Sequence, residues 1–181
     1  MSAPAKTSDD AIRAGARRLL ELHGVEALSM AAVAAEVGVR APSLYKRFAS
    51  RGELLAAVTG EVLAELQGLM ERAVRPGKPR ASLERMARWY RVFAKKNPRA
   101  YGLIYSPQVE VDLAARMASA GALLGVLGES LGKEKALPAA RLLVAFVHGF
   151  VSMELEGMFQ FGGSVEDAFE FGLATILDGL F

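Results

Sequence analysis

The chain has 181 residues, 52% of them apolar and 23% charged, a balance that supports a packed core and excludes a disordered or low-complexity chain. It holds no cysteine, which excludes disulfides, thiolate metal sites and a cysteine nucleophile. The formal net charge is only +2, so any electrostatic role must come from how the charges are distributed.

Residues 1–10 are short and polar, without the apolar core of a signal peptide, and a cytoplasmic protein is the simplest expectation. From there apolar residues recur at spacings of three and four along almost the whole chain, which predicts helices and no convincing strand. The first spans Asp9–His23, with Ile12, Ala16, Leu19 and Leu20 on one face and Gly24 as its stop. The second opens at Ser29, a natural N-cap, turns Met30, Val33, Ala34 and Val37 inward and ends at Gly38. A short third helix covers about residues 40–48. Ser50 caps a long fourth one whose stripe is Leu55, Val58, Val62, Leu66 and Leu69.

The run Pro76-Gly77-Lys78-Pro79 breaks that pattern, and Leu83, Met86, Tyr90 and Phe93 mark a fifth helix. Asn97-Pro98 and Ser106-Pro107 each set a capping residue before a proline, the expected opening of a new helix. A seventh carries Leu113, Met117, Leu124 and Leu127, and Pro138 begins an unusually apolar eighth that reaches about Phe161. No uncharged apolar window attains the roughly 18 residues of a membrane span. Gly162-Gly163 forms a turn, Ser164 with Asp167 resembles a capping box, and Val165, Phe169, Leu173, Ile176 and Leu180 line a ninth helix. The fold is therefore read as all-α with about nine helices. Residues 71–100 hold ten Lys or Arg against two Glu, whereas 142–181 hold six Asp or Glu and no Lys or Arg. That segregation reads either as two solvated faces or as a field presenting its basic end to a polyanion.

Three short helices followed by a long one, with a glycine turn between the second and third, form a helix-turn-helix arrangement. Gly38 suits a turn conformation that a Cβ disfavours. Val37, Val39 and Leu44 can lock the two helices into one small core, freeing the other face of the third helix for the major groove. On that face lie Ala41, Pro42, Ser43, Lys46 and Arg47. Arg40, Lys46, Arg47 and Arg51 suit phosphates, and the Tyr45 hydroxyl can reach a phosphate while its ring rests on the core. Ser29 and Arg51 stand at helix starts, where free amides also favour phosphate.

The stretch Leu28-Ser29-Met30-Ala31-Ala32-Val33-Ala34-Ala35-Glu36-Val37-Gly38-Val39, followed by Ala41-Pro42-Ser43-Leu44-Tyr45-Lys46-Arg47-Phe48 and Ser50-Arg51-Gly52-Glu53-Leu54-Leu55, resembles the TetR family of repressors. The resemblance covers roughly residues 9–60. It implies DNA-contacting roles for Ser43, Tyr45, Lys46, Arg47 and Arg51, with Ala41 and Pro42 near base edges. Arg40 stands where a small polar residue is common. Phe146-Val147-His148-Gly149-Phe150-Val151-Ser152-Met153-Glu154-Leu155 resembles a branch of the family with a Trp-His-Gly signature, Val147 replacing the Trp.

The family resemblance implies residues 1–52 as the DNA-binding domain and 53–181 as a domain that dimerises and often holds an effector. Helix eight is apolar on nearly every face, and its small residues Ala145, Gly149 and Ser152 permit close approach. With Phe169, Leu173 and Ile176 of helix nine they form the expected interface of a homodimer, whose twofold axis suits a palindromic site on double-stranded DNA. The alternative is burial within one protomer. Trp89, Tyr90, Phe93, Tyr101, Tyr105, Met117, Phe150 and Met153 are candidates for a cavity taking a small apolar or amphipathic effector, with His148 and Glu154 orienting it; the alternative is an ordinary core. His23 and His148 are the only histidines and lie in no metal-type spacing, no phosphate-binding glycine loop follows a strand, and Glu154 and Glu156 fall on different helix faces. Neither a cofactor, a metal nor catalysis is expected. The reading is a homodimeric, effector-released repressor, the alternative a DNA-binding interaction module without an effector.

Overall fold

The computed structural model describes residues 8–181; residues 1–7 of the polar N-terminal stretch lie outside it. Among the described residues the chain forms α1 (Asp9–His23), α2 (Met30–Glu36), α3 (Ala41–Tyr45), α4 (Arg51–Ala73), α5 (Pro79–Lys96), α6 (Pro98–Ile104), α7 (Leu113–Leu131), α8 (Lys133–Leu155) and α9 (Val165–Leu180), with a 3₁₀ turn at Val25–Ala27. No strand occurs among them, and the fold is all-α as expected.

Two compact units result: residues up to 63 with 97–115, and residues 64–96 with 116–181. The expected division after residue 52 falls inside the first turn of α4. The first compact unit extends past that point for a physical reason. The apolar stripe of α4 is continuous, and its first half (Leu54, Leu55, Val58 and Val62) is buried in the first unit. The other addition is α6, which docks on α1 through polar groups. The Glu21 carboxylate accepts from the Ala100 amide at 2.8 Å and from the Arg99 amide at 3.3 Å. Glu21 thus satisfies the open amides of α6 that Asn97 was expected to cap, while Asn97 Oδ1 accepts from Arg17 at 3.0 Å.

The second unit packs α5 against α8 and α9. Three helix bounds differ from the expected ones. Ser106-Pro107 opens no helix; 106–112 is turn and irregular backbone, and α7 begins at Leu113. Helix α8 starts at Lys133, and Pro138 lies inside it within the second turn. It ends at Leu155, where Gly157 (φ 65°) closes a Schellman motif: the Met158 amide donates to Met153 O at 2.9 Å and the Gly157 amide to Glu154 O at 3.1 Å. The apolar run beyond, to Phe161, is therefore loop.

By length and composition α8 is the one described helix that could cross a bilayer, although its charged residues leave no uncharged window of about 18 residues, as expected. A third of its most apolar window is buried in the protomer. Its inward face supplies Ala140, Leu143, Val147 and Val151 to the core, and its outward face leaves Leu137, Leu142, Val144 and Met153 exposed.

Candidate functional site

The helix-turn-helix is built by local signals that the backbone obeys. The Ser29 hydroxyl caps α2 by accepting from the Ala32 amide at 3.1 Å. Gly38 (φ 70°) ends the helix in a second Schellman motif, with the Val39 amide donating to Ala34 O at 2.9 Å and the Gly38 amide to Ala35 O at 3.2 Å. The chain then enters α3, a five-residue helix with Arg40 as its N-cap and proline in its first turn. Leu44 is fully buried and fastens α3 to the core, as does Phe48 just after it.

Every other side chain of this segment faces outward. Arg40, Pro42, Ser43, Tyr45, Lys46 and Arg47 are exposed and Ala41 is half-buried, so the structure brings together the residues expected at a groove. Tyr45 is 53% exposed. Arg47 Nε is paired with Asp9 of α1, which holds the Asp9 carboxyl below the usual carboxylate range. Ser29 faces solvent, its hydroxyl spent on the cap.

Arg51 differs from its expected role. Its Nε donates to Leu28 O and its Nη2 to Val25 O, so the guanidinium ties the start of α4 to the 3₁₀ turn ahead of α2. Arginine suits this task because its fork of donors can satisfy two carbonyls at once. The sequence offered no signal for this pairing, since the partners are backbone atoms 23 and 26 positions away.

In the second unit part of the segregated charge is paired, four basic residues of α5 meeting acidic residues of α8 and α9. Arg88 forms a bidentate pair with Glu170, both bonds at 2.7 Å. Arg80 reaches Asp178 at 2.7 Å. Arg91, buried, makes a bidentate pair with Glu154 at 2.7 and 2.9 Å and a third bond to Glu166 at 2.5 Å. The Arg91 guanidinium also lies 4.7 Å from the centre of the Phe169 ring, and Lys95 joins Glu154 at 2.6 Å. Glu154 is therefore committed to α5 instead of to a ligand, and Arg91 holds its pKa below the ordinary glutamate value.

The second unit also carries a half-open apolar pocket of about 50 Å³, lined by Met70, Leu83, Met86, Ala87, Tyr90, Leu123, Leu143, Val144 and Val147. Of the residues expected there, it includes Tyr90. Trp89 is half-buried beneath the Arg85 guanidinium at 4.4 Å, and Phe93 is buried in the core. Tyr101 and Tyr105 belong to the first unit, where their rings meet edge to face at 5.5 Å. Met117 and Met153 are exposed, and Phe150 belongs to a ring cluster with Phe146, Phe159 and Phe169. His148 is half-buried, and burial pushes its pKa down. The lining residues missed were legible in part: Leu83, Met86 and Ala87 share one face of α5 with Tyr90 at spacings of three and four.

Of the expected interface residues, Phe169 and Leu173 are fully buried within the protomer and cannot meet a partner. They are drawn inward because α9 lies close on α8; a Cβ on Gly172 would sit 2.6 Å from the Phe146 ring. Ala145 is exposed, while Gly149, Ser152 and Ile176 are half-buried. Phe171, on the outer side of α9, is 75% exposed.

Residues 12–58 match the family model described as bacterial regulatory proteins, tetR family, and residues 83–176 match a tetracyclin repressor-like C-terminal domain. The chain belongs to the TetR family. A protein of Mycobacterium tuberculosis described as an HTH-type transcriptional regulator is 30% identical over 161 residues, covering 86% of this chain and 73% of that protein. A solved structure of a protein from Rhodococcus sp. RHA1 superposes at a TM-score of 0.84 with 26% identity, covering 99% of both chains. The Streptomyces coelicolor TetR family protein ActR, solved in complex with (S)-DNPA, superposes at a TM-score of 0.74 with 22% identity over 97% of this chain and 98% of its own. This TetR-family chain is a transcriptional regulator with a DNA-binding helix-turn-helix.

Proposed function

We propose that this regulator acts as a cytoplasmic homodimer that occupies a palindromic operator through α3 and represses transcription until a small effector releases it. The observation that carries the reading is the outward cluster Pro42, Ser43, Tyr45 and Lys46, held on a helix whose single buried residue is Leu44. Ala41 and Pro42 approach base edges, Ser43, Tyr45 and Lys46 engage phosphates, and Arg47 joins them on leaving Asp9. Arg40 adds charge at the edge of the footprint.

Dimerisation rests on the exposed apolar face of α8, with Ala145, Gly149 and Ser152 allowing close approach and Phe171 of α9 at its flank. An effector is supported by the apolar pocket and by the small molecule bound to ActR. Helix α4 begins in the first unit and continues into the second, so a ligand that prefers one setting of α4 shifts the population between DNA-competent and released forms.

Selection of bound sequences from random duplexes tests the proposal. The expected result is a palindrome whose half-sites repeat at about one helical turn or a multiple of it. Recovery of no preferred sequence, with equal gel retardation of random duplex, refutes operator recognition.

A further inference from the structure

Asp9, Arg13, Arg17 and Glu21 follow one another at spacings of four along one face of α1. Each engages a different part of the first unit. Asp9 pairs with Arg47 just past α3, and Arg13 pairs with Glu61 of α4. Arg17 and Glu21 hold the start of α6. We infer that α1 works as a lever through which the docked α6 keeps Arg47 on Asp9 and away from DNA. Glu21 is then a positioning residue for DNA binding, although it lies at the far end of the helix from Arg47. This rests on the reading of Arg47 as a phosphate contact and adds what governs its release.

Three observations support the lever. First, the middle of α1 is fixed. Gly15 abuts Val37 at the end of α2, and Arg18 donates to the Glu36 carboxylate at 2.9 Å. With the Arg13–Glu61 pair, these contacts hold residues 13–18 against two neighbouring helices and oppose sliding.

Second, the two ends are placed symmetrically about that bearing. Asp9 and Glu21 stand six residues to either side of Gly15, about 9 Å along the axis. A tilt of about 6° about the middle therefore carries the ends about 1 Å in opposite directions, enough to take a hydrogen bond out of range.

Third, the α6 end is gripped from both main chain and side chain. The Glu21 carboxylate accepts from the Ala100 and Arg99 amides, and Glu21 O accepts from Arg99 Nη1 at 2.9 Å. Arg17 Nη2 donates to Asn97 Oδ1. The Asn97 side chain makes no cap bond of its own, so the carboxylate from α1 takes that place, with the added strength of a charged acceptor. Removing it frees one end of α1 to tilt, and Asp9 at the other end loses its register with Arg47.

The test measures four full-length proteins, the parent, Asp9→Asn, Glu21→Ala and the double variant, on a random-sequence duplex at several salt concentrations. Phosphate contacts are read on any sequence, so no operator is required. Glu21→Ala is expected to raise affinity about threefold to fivefold, the most that release from an exposed ion pair allows, and to steepen the salt slope by about one. Asp9→Asn is expected to do the same, and the double variant to match Asp9→Asn alone. Should Glu21→Ala fail to fold, Glu21→Gln keeps one acceptor and turns a donor toward the Arg99 amide. It loosens the same end and is expected to move affinity in the same direction by less.

A gain caused only by losing a negative charge would recur in the Asp9→Asn background, and an equal gain there overturns the lever. Affinity unchanged or lowered by both Glu21 variants, with Asp9→Asn still strengthening binding, also overturns it and leaves Arg47 as a phosphate contact. If Asp9→Asn changes nothing, Arg47 does not reach DNA and the inference falls with that reading.

Discussion

Gly15 of α1 and Val37 at the end of α2 meet with no room between them: a Cβ on residue 15 would lie 2.5 Å from Val37 Cγ1. This approach sets the distance at which α1 carries the helix-turn-helix. Gly15→Ala should gain helix propensity but force Val37, a stiff β-branched side chain, out of place. The expected net result is a loss of about 1–2 kcal/mol of stability. Thermal denaturation measures it, and a melting temperature equal to or above that of the parent would refute the close contact.

Arg51 and Lys46 are predicted to separate stability from DNA binding. Arg51→Ala removes the donor to Leu28 O and leaves Val25 O with the Leu28 amide alone, and should cost about 1–3 kcal/mol. Lys46→Ala should leave the melting temperature unchanged while weakening DNA binding and reducing the slope of affinity against salt by about one. Tyr45→Phe should likewise weaken binding without destabilising the protein. Paired denaturation and gel-shift titrations at several salt concentrations test all three.

Asp9→Asn removes the carboxylate that holds Arg47 in the unbound protein. The pair is exposed, so little stability is at stake. The expected outcome is a modest gain in DNA affinity with a steeper salt dependence, because one more cation becomes available to phosphate. Unchanged affinity would mean that Arg47 does not reach DNA.

Protonation should loosen the second unit from the acid side. Glu154 and Glu170 have pKa values lowered by hydrogen bonds from Arg91 and Arg88. Their contribution is complete above the ordinary glutamate value of about 4.3 and is lost as pH falls through the lower folded values. Glu154→Gln leaves the buried Arg91 without its bidentate partner and should cost about 3 kcal/mol at pH 7. The variant should also lose stability less steeply in acid than the parent, as denaturant titrations at pH 7 and pH 4 will show.

Leu142→Glu places a charge on the outward apolar face of α8. If that face is where two copies meet, the dissociation constant of the dimer should rise on the order of a hundredfold, with operator binding falling in step. Sedimentation of parent and variant across micromolar concentrations gives the answer; a parent already monomeric there would favour an interaction module that docks other proteins.

What could be read from the chain depended on the range of the cause. The bounds of α1 follow from Ser8, the aspartates beside it and Gly24, all adjacent in sequence, and α2 lies between Ser29 and Gly38 for the same reason. The exposed face of α3 was legible because Leu44 and Phe48 are the apolar residues there that need burial. At α8, Pro138 and the apolar run after Glu156 masked the weaker signals of Gly132 and Gly157, and both ends were misplaced. The Arg91 cluster joins residues 63 and 75 positions apart, and no local pattern marks such a pairing. For the same reason Phe169 and Leu173 were indistinguishable from residues awaiting a partner, since helical spacing identifies an apolar face without saying which copy covers it.

The core that supports α3 is assembled from two separated stretches of chain, with the first half of α4 and the returning α6 both inside it. The DNA-reading element is consequently not a portable module. A graft of residues 1–52 onto another regulator would leave behind the first half of α4 and α6, both part of the same compact unit. Operator specificity in this protein is better exchanged by rewriting the exposed positions of α3 in place than by swapping a segment.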